Sequence, residues 1–203
     1  MSNKLKIKNL MELNGNLVYL KKFDEEYFEE YWEQFNNSSI ESTIFTGTQQ
    51  VFGKSGAQRF FQNIAVDNSR VDFLIFSKET NKIVGEVVIN SIYTNNRSAS
   101  MRIVISRKED FNKGYGSEAL ILALNYGFAM LNLHRIELEV FDYNHRGLHV
   151  YEKIGFKKEG IKRDGWFFNH KYYDVIIMGI LEEDFRAKYN EEEDALEKFL
   201  VAK

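Results

Sequence analysis

Between residues 71 and 106 three apolar runs, VDFLIFS, KIVGEVVINSIY and RSASMRIVIS, follow one another with only a few polar residues between them. Connections this short cannot carry a crossover, so the runs are expected to pair as an antiparallel meander. Turns are expected at residues 79–81 and at Asn95 and Asn96. Directly after the third run comes FNKGYGS, and residues 114–131 then form a stretch with few polar positions, long enough for several helical turns. A strand meander running into a glycine-bearing loop and a long apolar helix points to an α+β layer arrangement.

The rest of the chain fits around that centre. Residues 17–23 (LVYLKKF) read as a first strand, and Asp24 caps an acidic, aromatic-rich helix through about Phe35. After polar stretches at 36–39 and 46–50, Ser55 opens a helix with Ala57, Phe60, Phe61 and Ile64 on one side. These two helices with uneven connections are expected to form a variable lid. Residues 134–141 (HRIELEVF) are a period-two strand, and 144–154 a helix ended by Gly155. Residues 156–161 and 172–181 make two more strands, with a hairpin turn at Asn169 and His170. An acidic helix follows from 182 to about 200. Without a repeat or linker, one domain over residues 1–203 is expected.

Composition narrows the chemistry. There is no cysteine among the 203 residues, which excludes disulfides, thiolate metal sites and any acyl-cysteine intermediate. The net charge of −3 is uneven: residues 42–181 carry +4, flanked by −3 and −4. A mild positive excess suits a small anionic ligand better than a nucleic acid, which requires a stronger basic face. Residues 1–10 lack the apolar core of a signal peptide, and the longest apolar stretch, 119–133, contains Asn125 and Asn132 and is too short for a bilayer. A cytoplasmic protein without membrane or nucleic-acid partners is expected. The four histidines stand in no carboxylate pattern resembling a metal site, so no metal is expected.

Two segments resemble phosphate loops. In residues 47–55 (GTQQVFGKS) five residues separate Gly47 from Gly53, where a Walker loop has four, and no buried strand precedes them; a helix start is the better reading. In residues 111–117 (FNKGYGS) the context is right, because a strand leads in and a helix leads out. Amides at a helix start lack intrahelical acceptors, the helix dipole favours an anion, and Gly114 and Gly116 allow close approach. Lys113 adds charge there. A tight turn explains the two glycines as well.

With MRIVIS, FNKGYGSEALILALNYGF, LHRIELEVF, NHRGLHVYEKIGFKKEG and the late strand bearing Tyr173 and Asp174 in this order, residues 15–181 resemble the GNAT superfamily of acetyl-CoA-dependent N-acetyltransferases. Within it they are similar to the branch of ribosomal-protein alanine and spermidine acetyltransferases. The resemblance implies a mixed, mostly antiparallel central sheet flanked by helices, with acetyl-CoA as co-substrate. It implies that Ile103, Val104 and Ile105 lend backbone groups to the pantetheine arm, and that Asn112, Lys113, Gly114, Tyr115, Gly116 and Ser117 hold the pyrophosphate. Phe111 stands where the family loop usually has Arg or Gln, a departure that touches one side-chain contact. Asn144 would lie beside the arm, Lys153 would lie on the same cofactor helix, and Tyr151 would sit near the thioester sulfur.

The chemistry gives those residues roles. A phenol such as Tyr151 can donate the proton that a leaving thiolate needs; a half-buried helix aromatic is the plainer alternative. Asn144 could also be a helix N-cap. The attacking amine must lose a proton, which is harder for a side-chain-type ammonium, with pKa near about 10.4, than for an α-amine near about 8. Ser100 stands where many relatives place a Glu in the strand before the loop. Glu86 is then the candidate base, with Glu137 and Glu139 behind it, and water with backbone carbonyls the alternative. Arg163 and Asp174 are either structural or in contact with substrate. The leading expectation is direct acetyl transfer to a protein N-terminal α-amine. Alternatives are a polyamine or other small amine, attracted by Glu25, Glu26, Glu29, Glu30 and Glu33 if that helix faces the cleft, and a non-catalytic CoA-binding sensor. A homodimer is compatible with the family.

Overall fold

The computed structural model describes residues 12–47, 53–64 and 66–189. The elements are β1 (Glu12–Asn14), β2 (Val18–Lys22), α1 (Phe28–Asn36), α2 (Ile40–Thr46), α3 (Lys54–Ile64), β3 (Val71–Ser77), β4 (Ile83–Tyr93), β5 (Ser98–Ile105), α4 (Tyr115–Ala129), β6 (Arg135–Phe141), α5 (His145–Ile154), β7 (Lys157–Phe168), β8 (Lys171–Leu181) and α6 (Glu182–Tyr189). All eight strands join in one sheet of order β1-β2-β3-β4-β5-β6-β8-β7. Every pairing is antiparallel except β5 with β6.

Strand alternation sends side chains to both faces, so each face requires a cover. Phe73 and Ile75 of β3 join a core with Leu120 and Leu124 of α4, Ile154 of α5 and Phe185 of α6. Leu74 and Phe76 point the other way and meet Phe28 and Tyr31 of α1 and Phe61 of α3. Each such side chain contributes about 1.5–3 kcal/mol when fully buried. The sheet is therefore a plate between two apolar layers, and the cofactor-side helices α4 and α5 lie on one of them.

The expected meander is present, and Asn169 and His170 turn the β7–β8 hairpin with φ values of 47° and 63°. Several local expectations are corrected. β1 pairs with β2 ahead of the expected first strand, and α2 fills the interval between the two polar stretches. Phe60 is 39% exposed, with the Arg70 guanidinium lying over its ring, while Phe61 joins the cluster under α1. β7 continues past residue 161 to Phe168, through a bulge that Asp174 supports by accepting from the Asp164 amide at 2.9 Å. Asp174 thus has a structural contact within the hairpin, and Arg163 is exposed. The part of the expected acidic terminal helix beyond residue 189 lies outside the described residues, as does part of the 47–55 segment. Among the described residues, no helix is long and apolar enough to cross a membrane.

None of Glu25, Glu26, Glu29, Glu30 and Glu33 lines the cleft beside β5. Glu30 of α1 accepts from the Ile83 amide at 2.9 Å and Glu29 pairs with Lys54 of α3, because Phe28 and Tyr31 dock α1 on β3 and β4.

Candidate active site

The site begins where β5 and β6 part. They pair in parallel through Ser98↔Arg135, Ala99↔Ile136 and Ser100↔Glu137 and no further, although β5 continues to Ile105. The β6-side edge at Ile103, Val104 and Ile105 is therefore left without a strand neighbour, a place where an extended polar ligand can pair with backbone groups. The gap opens into a cleft enclosing about 830 Å³ of empty space, its open mouth included.

α2 crosses one side of this gap. Ser42 Oγ lies 2.9 Å from the Ile105 carbonyl and 2.8 Å from that of Ser106, and the Ser39 amide donates to Ser106 O at 2.9 Å. From beyond β6, Tyr143 Oη donates to Ile44 O at 3.0 Å. These bonds hold Ser42, Phe45 and Thr46 on the cleft wall.

The opposite end is built by two helix starts. Gly114 caps α4 with φ 84°, and Asn112 has φ 61°. Two left-handed residues so close together double the chain back and leave the first α4 amides without helical acceptors. Gly114, Tyr115, Gly116 and Ser117 all line the cleft. A Cβ built on Gly116 would meet only Ile105 Cγ1 at 3.6 Å and Ile103 Cδ1 at 3.9 Å, so the space in front of this backbone is open. Glu118 in the same turn does not oppose an anion directly, because its carboxylate accepts from the amides of Asn16, Leu17 and Val18 at 2.7–2.8 Å.

α5 supplies the second helix start. Asn144 Oδ1 accepts from Gly147 N at 2.9 Å, so Asn144 is an N-cap as well as a cleft residue. Two helix N-termini on one cleft favour a multiply charged anion. Tyr151, two turns into α5, also lines the cleft; burial pushes its phenol pKa up to about 12, and the nearby Arg146 charge pulls weakly the other way. Tyr151 is therefore protonated at neutral pH. An opening with an unpaired strand edge along one wall and free helix-start amides at one end fits a cofactor with an extended arm and a pyrophosphate.

Of the residues singled out from the sequence, Ile103, Val104, Ile105, Phe111, Asn112, Gly114, Tyr115, Gly116, Ser117, Asn144 and Tyr151 come together here. Three do not. Lys113 is exposed, 3.5 Å from Asp110, with its ammonium over the Tyr115 ring. Lys153 lies on the outer side of α5, where its carbonyl accepts from Lys188. Glu86 is 3% exposed on the α1 side of the sheet, ion-paired with Arg102 and accepting from Tyr31 Oη at 3.2 Å. Tyr115 contributes backbone only, since its hydroxyl meets Ser77 Oγ and Glu79 at 3.1 Å. Behind Glu86, Glu137 pairs with Arg135 and Glu139 with Lys162.

The sequence did not single out Ser42, Phe45 and Thr46, which reach the cleft only through tertiary packing, or Arg146 and Gly147 at the start of α5. For the last two a signal existed, because the capping position Asn144 puts the next three residues at a helix start. Among the described residues no cluster of three or more His, Asp or Glu could hold a metal ion.

Comparison with known proteins agrees with this geometry. The acetyltransferase (GNAT) domain model matches residues 18–157. The spermidine N(1)-acetyltransferase of Vibrio cholerae serotype O1 is 32% identical over 150 residues, covering 74% of this chain and 84% of that protein. The Escherichia coli K12 spermidine N(1)-acetyltransferase is 36% identical over 107 residues, 53% of this chain and 55% of that protein. The crystal structure of the Vibrio cholerae spermidine N-acetyltransferase in complex with CoA and spermine superposes with a TM-score of 0.77 at 26% identity, covering 84% of this chain and 99% of that one. With its splayed parallel strand pair, its glycine-bearing helix start and these relatives, the chain belongs to the GNAT acetyltransferase family and is an acetyl-CoA-dependent N-acetyltransferase.

Proposed function

We propose that this enzyme acetylates a primary amine of a polyamine such as spermidine. The observation that carries the reading is the likeness to the Vibrio cholerae spermidine acetyltransferase, which spans most of both chains in sequence and in structure. It ranks a polyamine above the protein N-terminal α-amine that came first from the sequence.

Bound acetyl-CoA supplies an activated thioester and a thiolate leaving group. The edge of β5 at Ile103, Val104 and Ile105 orients the arm, and the amides from Asn112 to Ser117, with the α5 start, take the pyrophosphate. Tyr151 holds a proton on Oη at working pH and is the donor for the departing sulfur. A polyamine ammonium must lose a proton before attack. Glu86 is engaged by Arg102 and Tyr31, so water at the open cleft is the better acceptor for that proton. There is no cysteine to carry an acetyl-cysteine intermediate, and in this reading the acetyl group passes directly to the amine in one ternary complex.

The test is thiol release from acetyl-CoA with spermidine, spermine and peptides bearing free N-termini. Turnover is expected with the polyamines. Turnover with peptides alone would return the N-terminal reading to first place.

A further inference from the structure

The described residues that line the cleft come from four places: the free edge of β5, the loop leading into α4 with its first turns, α5, and α2. In the reading above, the first three take the cofactor arm, the pyrophosphate and the proton donor. α2 is the wall that remains, and it is anchored on both sides of the gap. On the β5 side, Ser42 is 4% exposed, and its hydroxyl reaches the carbonyls of Ile105 at 2.9 Å and Ser106 at 2.8 Å. Ser39 Oγ lies 2.7 Å from Ser42 Oγ. The carbonyls can only accept, so the Ser42 proton points to them and Ser39 donates to Ser42. On the β6 side, Tyr143 Oη donates to Ile44 O at 3.0 Å, and its ring stacks on Phe141 with centroids 5.3 Å apart. Gly47, which ends α2 with φ 68°, is pressed against the Phe141 and Trp166 rings: a Cβ there would lie 2.9 Å from Phe141 Cζ and 3.1 Å from Trp166 Cη2. Between these anchors the Phe45 ring carries the Arg146 guanidinium, which also rests on Phe111.

A helix of seven residues does not hold itself in water, so the place of α2 depends on these contacts. They are of an unusual kind. Of the seven residues Ser42 is the one that is buried, and Ile40 is 78% exposed, so α2 is held mainly by hydrogen bonds and little by apolar burial. Apolar burial is non-directional, whereas hydrogen bonds fix distance and angle. An element held in this way is held to a position. The reaction has a use for that precision, because a displacement of about 1 Å can cost an attacking group about 100-fold in rate. We infer that Ser42 and Tyr143 are positioning residues for the acceptor: by fixing α2 to both sides of the gap, they set the wall along which the amine reaches the thioester. The inference deepens the polyamine reading and rests on it for the class of acceptor.

The experiment measures thiol release with spermidine, CoA affinity by calorimetry and the melting temperature for the full chain, S42A, Y143F and the double variant S42A/Y143F. All rates are taken well below the lowest melting temperature, so the folded fraction is the same in each. A merely structural role then moves the melting temperature and leaves kcat/KM alone. Y143F keeps the ring on Phe141 and removes the bond to Ile44 O. Each single variant is expected to lower kcat/KM for spermidine by about tenfold, with CoA affinity held within about twofold, and the double variant to lose about 100-fold. Wild-type kcat/KM in both single variants overturns the proposal, whatever their melting temperatures. An equal loss of CoA affinity also overturns it, because α2 would then serve the cofactor and not the acceptor. If the unmodified chain binds CoA and acetylates peptides with free N-termini but no polyamine, the polyamine reading fails by itself. The same variants are then assayed with the peptide, and the same two outcomes decide the role of Ser42 and Tyr143.

Discussion

Asn144 and Gly147 are in close contact at the start of α5, the side chain of one capping the backbone of the other. Asn144 Oδ1 accepts from Gly147 N at 2.9 Å, and a Cβ on Gly147 would lie 2.7 Å from Asn144 Nδ2. The pair fixes the start of α5, and one turn beyond Gly147 the helix presents Tyr151 to the cleft. Removing the cap by Asn144→Ala is expected to cost about 1 kcal/mol, a fall in melting temperature of about 2–4 °C. Asn144→Asp should keep most of that stability. Gly147→Ala should lower both stability and kcat, because the new methyl displaces the capping amide.

Tyr151→Phe separates binding from chemistry. The ring keeps its packing against Phe156, so affinity for acetyl-CoA should change little. kcat should fall by about 100-fold or more if the phenol is the proton donor. The pH dependence has a definite sign: the donor is the protonated phenol, and burial pushes its pKa up to about 12, so its contribution persists through pH 10 and is lost only as pH rises through about 12. Unchanged kcat in Tyr151→Phe would remove Tyr151 from the acid role.

Glu86 offers a contrast between structure and chemistry. Its buried carboxylate is engaged by Arg102 and Tyr31, and Arg102 is partly exposed, so the pair lies between the exposed and fully buried cases. Glu86→Ala should cost more than the ~1 kcal/mol of a surface pair and less than the ~3–5 kcal/mol of a fully buried one. Glu86→Gln keeps the shape and should leave kcat within a few-fold at neutral pH. A large fall in kcat with Glu86→Gln at unchanged melting temperature would instead make Glu86 the base, and urea melts beside steady-state kinetics decide it.

Gly114→Val tests the helix-start cradle. At φ 84° a side chain is strained by about 1–2 kcal/mol, and its Cβ would also meet Leu17 Cδ1 at 2.9 Å. The first amides of α4 would shift, so CoA affinity should drop, as read by calorimetry. Unaltered affinity would move the pyrophosphate away from this loop.

Much of this was legible along the chain because it depends on neighbours in sequence. The meander follows from short turns between apolar runs, and the α4 start from two glycines after a strand. Asn144 reads as a cap from its place before a helical run. What was not legible involves partners far apart in sequence. Glu86 looked like a free carboxylate until Arg102, on the neighbouring strand, and Tyr31, on α1, closed around it. Two of the carboxylates of α1 looked free until Phe28 and Tyr31 docked that helix on the sheet, where Glu30 accepts from the Ile83 amide and Glu29 pairs with Lys54.

The sequence by itself therefore determined the order of the strands and helices other than β1 and α2, the anion-favouring helix starts and the absence of cysteine chemistry, since all of these are properties of composition or of local backbone. Only the tertiary structure decided where β5 and β6 part, that α2 is bonded across the gap through Ser42 and Tyr143, and that Arg146 rests on Phe111. Each of these joins segments tens of residues apart, and such contacts are selected by packing of the whole sheet and its two covering layers, which no local pattern encodes.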